Sequence, residues 1–147
     1  MIDIQNQKDS RNIDIKKVGV KNIKYPIIVM DRERGTQPVN ATINMYVNLP
    51  HHFKGTHMSR FVEVLNDFRG QVNIKTFQTI LEKMRQRLRA QSAHMEIEFP
   101  YFLKKMAPVS KAKSMMEYRC LFAGENSADK TDFLVGVVVP VTTLCPC

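Results

Sequence analysis

The sequence predicts an α+β domain: a largely antiparallel sheet with two helices packed on one face. Three observations carry that prediction. Apolar and polar residues alternate strictly from Val39 to Leu49, two stretches of helical spacing follow directly, and the period returns to two over the last third of the chain. Strands that bracket a helix pair, without alternating with helices one by one, indicate an α+β layer.

Residues 1–20 read as an N-terminal arm that ends in a segment without a clear period, Ile15 to Lys21, and has room for a short strand. Ile23, Tyr25, Ile27 and Val29 then alternate with Lys24, Pro26, Ile28 and Met30, which predicts a strand over 23–30. Pro26 suits an edge or a bulge there, because proline has no N–H to give to a ladder. Asp31-Arg32-Glu33-Arg34-Gly35 supplies a charged hairpin loop. In the next strand Val39, Ala41, Ile43, Met45, Val47 and Leu49 form one apolar face, and Asn40, Thr42, Asn44, Tyr46 and Asn48 form a wet one. Pro50 ends it.

Met58, Phe61, Val62, Leu65 and Phe68 fall at helical spacing, with Thr56 as the expected N-cap and Gly70 as the stop. Ile74, Phe77, Leu81, Met84 and Leu88 make the stripe of a second helix, and Lys83, Arg85, Arg87 and Arg89 crowd its last turns. Cations suit the negative end of the helix dipole, and no aromatic residues interleave them, so a solvated helix end is favoured over a nucleic-acid surface. Alternation resumes at Ala93, Met95, Ile97 and Phe99 and again over 115–122, while 133–141 is rich in β-branched residues on both faces. Gly124, Asn126, Ser127 and Asp129 give the segment Ala123 to Thr131 hairpin-turn chemistry.

The 147 residues, 44% hydrophobic and 24% charged, suit one globular domain and argue against disorder. No apolar run approaches a membrane span, and the first residues lack a basic segment leading into an apolar one, so a cytoplasmic protein is expected. Three cysteines without a leader point to buried, metal-bound or reactive thiols and not to a disulfide framework. A net charge of +8 admits an anionic partner without naming it. An apolar last strand running into Thr142-Thr143-Leu144-Cys145-Pro146-Cys147 without a polar tail suggests a chain that is truncated or is half of a larger unit.

Two places carry candidate chemistry. The junction Leu49 to Leu65 packs His51, His52, Lys54, His57, Ser59 and Arg60 around the start of a helix. A helix N-terminus, a hydroxyl and two cations make an anion site of the phosphate-holding kind; the alternative is a set of turn-region histidines beside a surface arginine. At Cys145-Pro146-Cys147, one thiolate is a candidate soft ligand for an open metal site, against the alternative of incidental cysteines, the class to which Cys120 belongs.

Lys17-Val18-Gly19-Val20, Tyr25-Pro26-Ile27, the motif from Leu49 through His51-His52-Phe53-Lys54-Gly55-Thr56-His57-Met58-Ser59-Arg60 to Glu63, Ala107-Pro108-Val109-Ser110, and Pro140-Val141-Thr142-Thr143-Leu144-Cys145-Pro146-Cys147 resemble the GTP cyclohydrolase I type IB family. The resemblance implies a tunnelling fold (T-fold), with residues 21–147 as the first of two tandem units, assembled into a homo-oligomer with active sites at subunit interfaces. It implies conversion of GTP and water to 7,8-dihydroneopterin triphosphate and formate, the first step toward folate and tetrahydrofolate. It assigns Cys145, in preference to Cys147, as catalytic residue and ligand of a divalent metal ion (zinc, manganese or iron) that would activate water for attack on C8 of the purine. It makes Lys54, His57, Ser59 and Arg60 the candidates for binding the triphosphate. The remaining metal ligands and the guanine-binding residues are expected from a downstream half. The rival classes are an inert assembly half and a basic nucleic-acid-binding domain.

Overall fold

The computed structural model describes residues 15–51 and 55–145. The elements run β1 (Ile15–Asp31), β2 (Gly35–Leu49), α1 (Ser59–Asp67), α2 (Ile74–Arg87), β3 (Ser92–Met106), β4 (Lys113–Ser127) and β5 (Thr131–Val138). The strands form one sheet in the order β1-β2-β3-β4-β5, every neighbouring pair antiparallel. This is the expected α+β layer, consistent with a tunnelling fold.

The alternation in β2 does what its pattern requires. Val39, Ala41, Ile43, Met45, Val47 and Leu49 are buried, while the intervening residues face the side without helices. Met45 pairs with Met95 and Ile43 with Ile97 across the β2–β3 ladder, and this apolar surface meets Phe61, Val64 and Leu65 of α1 and Phe77, Ile80, Leu81 and Met84 of α2. Phe77 anchors α2 over β4 and β5, its ring centroid 6.2 Å from Phe122 and 4.9 Å from Phe133.

The helix pair is tied down at its own turn. Asn73 caps α2, its side chain accepting from the Lys75 and Thr76 amides while the Thr76 hydroxyl accepts from the Asn73 amide. Gly70 holds φ at 71°, and a Cβ there would stand 2.6 Å from the Pro26 carbonyl oxygen. The close approach lets the Ile28 amide donate to Gly70 O and the Val72 amide donate to Ile28 O, so the α1–α2 turn is stitched to β1.

Several boundaries differ from expectation, each for a physical reason. β1 begins at Ile15, eight residues before the strand predicted over 23–30, and takes in residues 15–20 of the predicted arm. The missing period is explained by register shifts between Ile15 and Val18 and between Val20 and Ile23, since an inserted residue reverses which face each side chain occupies. At the second shift Asn22 adopts φ 59° and its amide donates to Asn44 Oδ1. The predicted loop 123–131 shrinks to residues 128–130, and Gly124 lies inside β4. There a Cβ would come within 2.6 Å of the Asp132 carbonyl oxygen of β5 and 2.7 Å of Phe77 Cε1 of α2, so this glycine accommodates the close approach of both and is not a turn residue.

Beyond Thr42 and Glu98 the β2–β3 ladder ends, although both hairpins continue outward, to Asp31/Gly35 on one side and Met106/Lys113 on the other. Gln37, buried at 6% exposure, bridges the gap: it donates to Phe102 O and Asp31 Oδ2 and accepts from the Phe102 amide. Between the parted hairpins and the start of α2 lies an apolar groove of about 900 Å³ whose lining includes Val29, Phe99, Tyr101, Phe122, Val135 and Val137.

Candidate functional site

The junction between β2 and α1 holds four of the five predicted site residues. Lys54, with His52 and Phe53, lies outside the described residues. Of the others, His57 and Arg60 are half-buried, and Ser59 is exposed as the first residue of α1. The predicted N-cap does not form. Thr56 is buried, Met58 already has helical angles (φ −62°, ψ −34°), and no side chain caps the helix. The helix thus starts two residues too late for the Thr56 hydroxyl to reach its first amides. With no acidic residue in the first turn, the positive end of the α1 dipole is not offset by a carboxylate of its own helix. A cavity of about 350 Å³ borders the β2 side of the junction, lined by Ile15, Lys16, Asn48, Leu49, His51 and Gln91 among others.

Arg60 has an intramolecular partner. Its Nη1 donates to the Arg87 carbonyl at 3.3 Å, at the C-terminal end of α2. Arg87 in turn reaches back to α1, with Nη2 2.7 Å from Asp67 Oδ2 and Nη1 3.7 Å from Glu63 Oε2, while Lys83 Nζ stands 3.8 Å from the same Asp67 oxygen. The basic cluster that closes α2 therefore engages α1 carboxylates through two of its members, in keeping with the solvated helix-end assignment.

Cys145 belongs to a different element. It is exposed, in the coil after β5, and its sulfur is in a disulfide, so metal binding would require reduction to the thiolate. The register fixes where β5 leads. Asn126 pairs with Thr131 and Ser92 with Ser127, at the end of the sheet from which β2 enters the junction; Val138 pairs with Arg119, seven residues farther along, about 23 Å at strand rise. The end of β5 is thus level with the middle of β3 and β4, well along the sheet from the end that carries the junction. Among the described residues no group of three or more His, Cys, Asp or Glu side chains is arranged to hold a metal ion. Among the described residues Cys120 is a free cysteine; it is half-buried in β4 against the apolar groove, and burial pushes its thiol up, away from a reactive thiolate.

One polar constellation escaped the sequence analysis. Tyr46, His94, Glu125 and Asp132 follow one another across β2 to β5 in register on the helix-free face, and the Lys17 ammonium lies 5.9 Å from the centre of the Tyr46 ring. His94 Nδ1 is 3.8 Å from Glu125 Oε2, and its Nε2 is 3.5 Å from Ser92 Oγ. These residues border a cavity of about 390 Å³. The available signal was the polar half of each alternating strand, but only the register shows that those halves align.

Comparison with known proteins matches residues 1–147 to a family model described as type I GTP cyclohydrolase folE2. The protein of Syntrophus aciditrophicus named GTP cyclohydrolase FolE2 is 71% identical over 147 residues, all of this chain and 58% of the relative. That of Syntrophotalea carbinolica is 56% identical over the whole chain and 55% of its own length, and that of Citrifermentans bemidjiense 57% identical over 99% of this chain and 54% of its own. The chain spans a little over half the length of these curated relatives. A family model that matches every residue, together with such identity along the whole chain, places this protein in the type I GTP cyclohydrolase FolE2 family.

Proposed function

We propose that this chain is the portion of a GTP cyclohydrolase I that carries the triphosphate-binding junction and one metal-binding cysteine. The reaction is GTP and water to 7,8-dihydroneopterin triphosphate and formate, at the entry to folate and tetrahydrofolate synthesis in the cytoplasm. The observation that carries this reading is the 71% identity, along all 147 residues, to a relative named GTP cyclohydrolase FolE2.

In this reading His57, Ser59 and Arg60, together with Lys54, bind the triphosphate, the first three at the positive end of α1. Binding energy gathered there, remote from the purine, serves to orient the base and ribose for reaction. Cys145 supplies one soft ligand to a divalent ion, whether zinc, manganese or iron. A single thiol does not make a metal site, and the absence of a three-residue cluster among the described residues is in keeping with further ligands from outside this chain. Such an ion supplies Lewis-acid activation of water.

The separation of the junction from the β5 end along the sheet favours a pocket built from more than one unit. Residues 21–147 are then the first of two tandem T-fold units, completed by a downstream half and by other subunits of a homo-oligomer.

The test uses the chain joined to the downstream half its relatives carry, supplied with GTP and a divalent metal under reducing conditions. Formate and a pterin that fluoresces after oxidation are the expected products, and their absence would overturn the proposal. Arg60→Ala should weaken GTP binding roughly tenfold, the scale of one charge-assisted hydrogen bond. Binding equal to the parent's would remove Arg60 from the site.

A further inference from the structure

The ring of contacts between α1 and α2 closes on a single residue. Arg60, Glu63 and Asp67 lie at positions i, i+3 and i+7 of α1 and so share a face. That face meets the last turn of α2, where the Arg87 guanidinium contacts both carboxylates and the Arg87 carbonyl accepts from Arg60. The carbonyl belongs to the last turn of a helix, among the groups without an intrahelical donor, and it sits at the negative end of the dipole. One Nη1 hydrogen bond leaves the rest of the Arg60 fork available to an anion.

We propose that the Arg87 side chain is a positioning residue for the triphosphate site: by gripping Glu63 and Asp67 it holds the end of α2 against α1, so that the Arg87 main-chain carbonyl, which a side-chain substitution leaves in place, stays where it orients Arg60. The inference rests on the reading of the junction as that site. Arg60 is a long side chain that would otherwise lose its rotamer freedom when the nucleotide binds. Held in advance against α2, it gives up less on binding. The Glu63, Asp67 and Arg87 side chains are 56%, 32% and 40% exposed. Ion pairs so open to water contribute little to folding, so variants that lose them are expected to fold and their effect on substrate affinity can be read directly.

The experiment is a double-mutant cycle in the GTP-active protein. Arg87→Ala should raise KM for GTP roughly 2- to 5-fold with kcat within about twofold, the range expected for a partly exposed charge pair. The effect should shrink as ionic strength rises, and it should vanish in an Arg60→Ala background. Glu63→Gln combined with Asp67→Asn breaks the same clamp from the α1 side and should reproduce the rise in KM, which also serves if Arg87→Ala does not fold. Arg87→Lys should recover part of the loss. A parental KM in folded Arg87→Ala and in the Glu63→Gln/Asp67→Asn protein, alongside a raised KM in Arg60→Ala, overturns the positioning role and leaves the triphosphate site standing. An Arg87→Ala effect of equal size with Arg60 absent overturns it as well. A parental KM in Arg60→Ala defeats the triphosphate reading itself.

Discussion

His94 shows how one residue can carry opposing influences. Burial lowers its pKa from the ordinary 6.5 and outweighs the opposing pull of Glu125; Lys17 and Lys130 add to the lowering, and Glu96 works against it. The folded protein therefore binds its proton less readily than the unfolded chain does. Stability from this residue is fully present above pH 6.5 and is lost as pH falls from there through the depressed folded value. Chemical denaturation of the chain across that window should show stability rising with pH, and His94→Asn should flatten the His94 share of the slope. An unchanged slope in the variant would mean that another group titrates there. Cys120 follows the same logic without an opposing charge, since burial alone raises its pKa, and its half-buried place in β4 agrees with its assignment from sequence as an incidental thiol.

Among the elements, the parting of β2 from β3 shapes the molecule most. Pro100 lies in β3 just past the last paired residue, Glu98, and has no N–H to extend the ladder. Gln37 supplies by side chain what the backbone no longer does, one donor and one acceptor to Phe102. Gln37→Leu leaves the Phe102 amide and carbonyl without that partner and should cost about 1–3 kcal/mol, read as a lower denaturation midpoint. Gln37→Glu, nearly the same in shape, should also be destabilising, because its carboxylate would face the Asp31 carboxylate and the Phe102 carbonyl that the amide now donates to. A midpoint unchanged in both variants would show that the hairpins are held apart by packing alone.

Across the whole molecule, the sheet is covered unevenly. The core under α1 and α2 is closed, whereas Val135, Val137 and Val138 of β5 are about half exposed, at 50%, 54% and 51%. β5 is an edge strand with β-branched residues on both faces and no charged residue after Asp132, the arrangement that invites another strand to pair. The 147-residue chain by itself should associate with increasing concentration in sedimentation velocity, and Val137→Lys should reduce that association. A wild-type chain that stays monomeric across the concentration range would show that β5 is not the adhesive surface.

Much of this was legible in the residues alone. The strict alternation of Val39 to Leu49 and the stripes of Phe61/Leu65 and Phe77/Leu81/Met84 determined element type, buried face and α+β class, because each depends on local period and on which side chains water rejects. The long junction motif and the Leu-Cys-Pro-Cys segment carried the family. What only the tertiary structure decided rests on pairs far apart in the chain. Two bulges turned an aperiodic segment into strand, the close approach of β5 and α2 claimed Gly124 from a predicted turn, Arg60 found the Arg87 carbonyl, and strand register sent the end of β5 away from the junction. Periodicity is a property of neighbours along the sequence, while register and packing are settled by whole elements finding one another. The sequence therefore determined what each segment is, and the fold decided which segments meet.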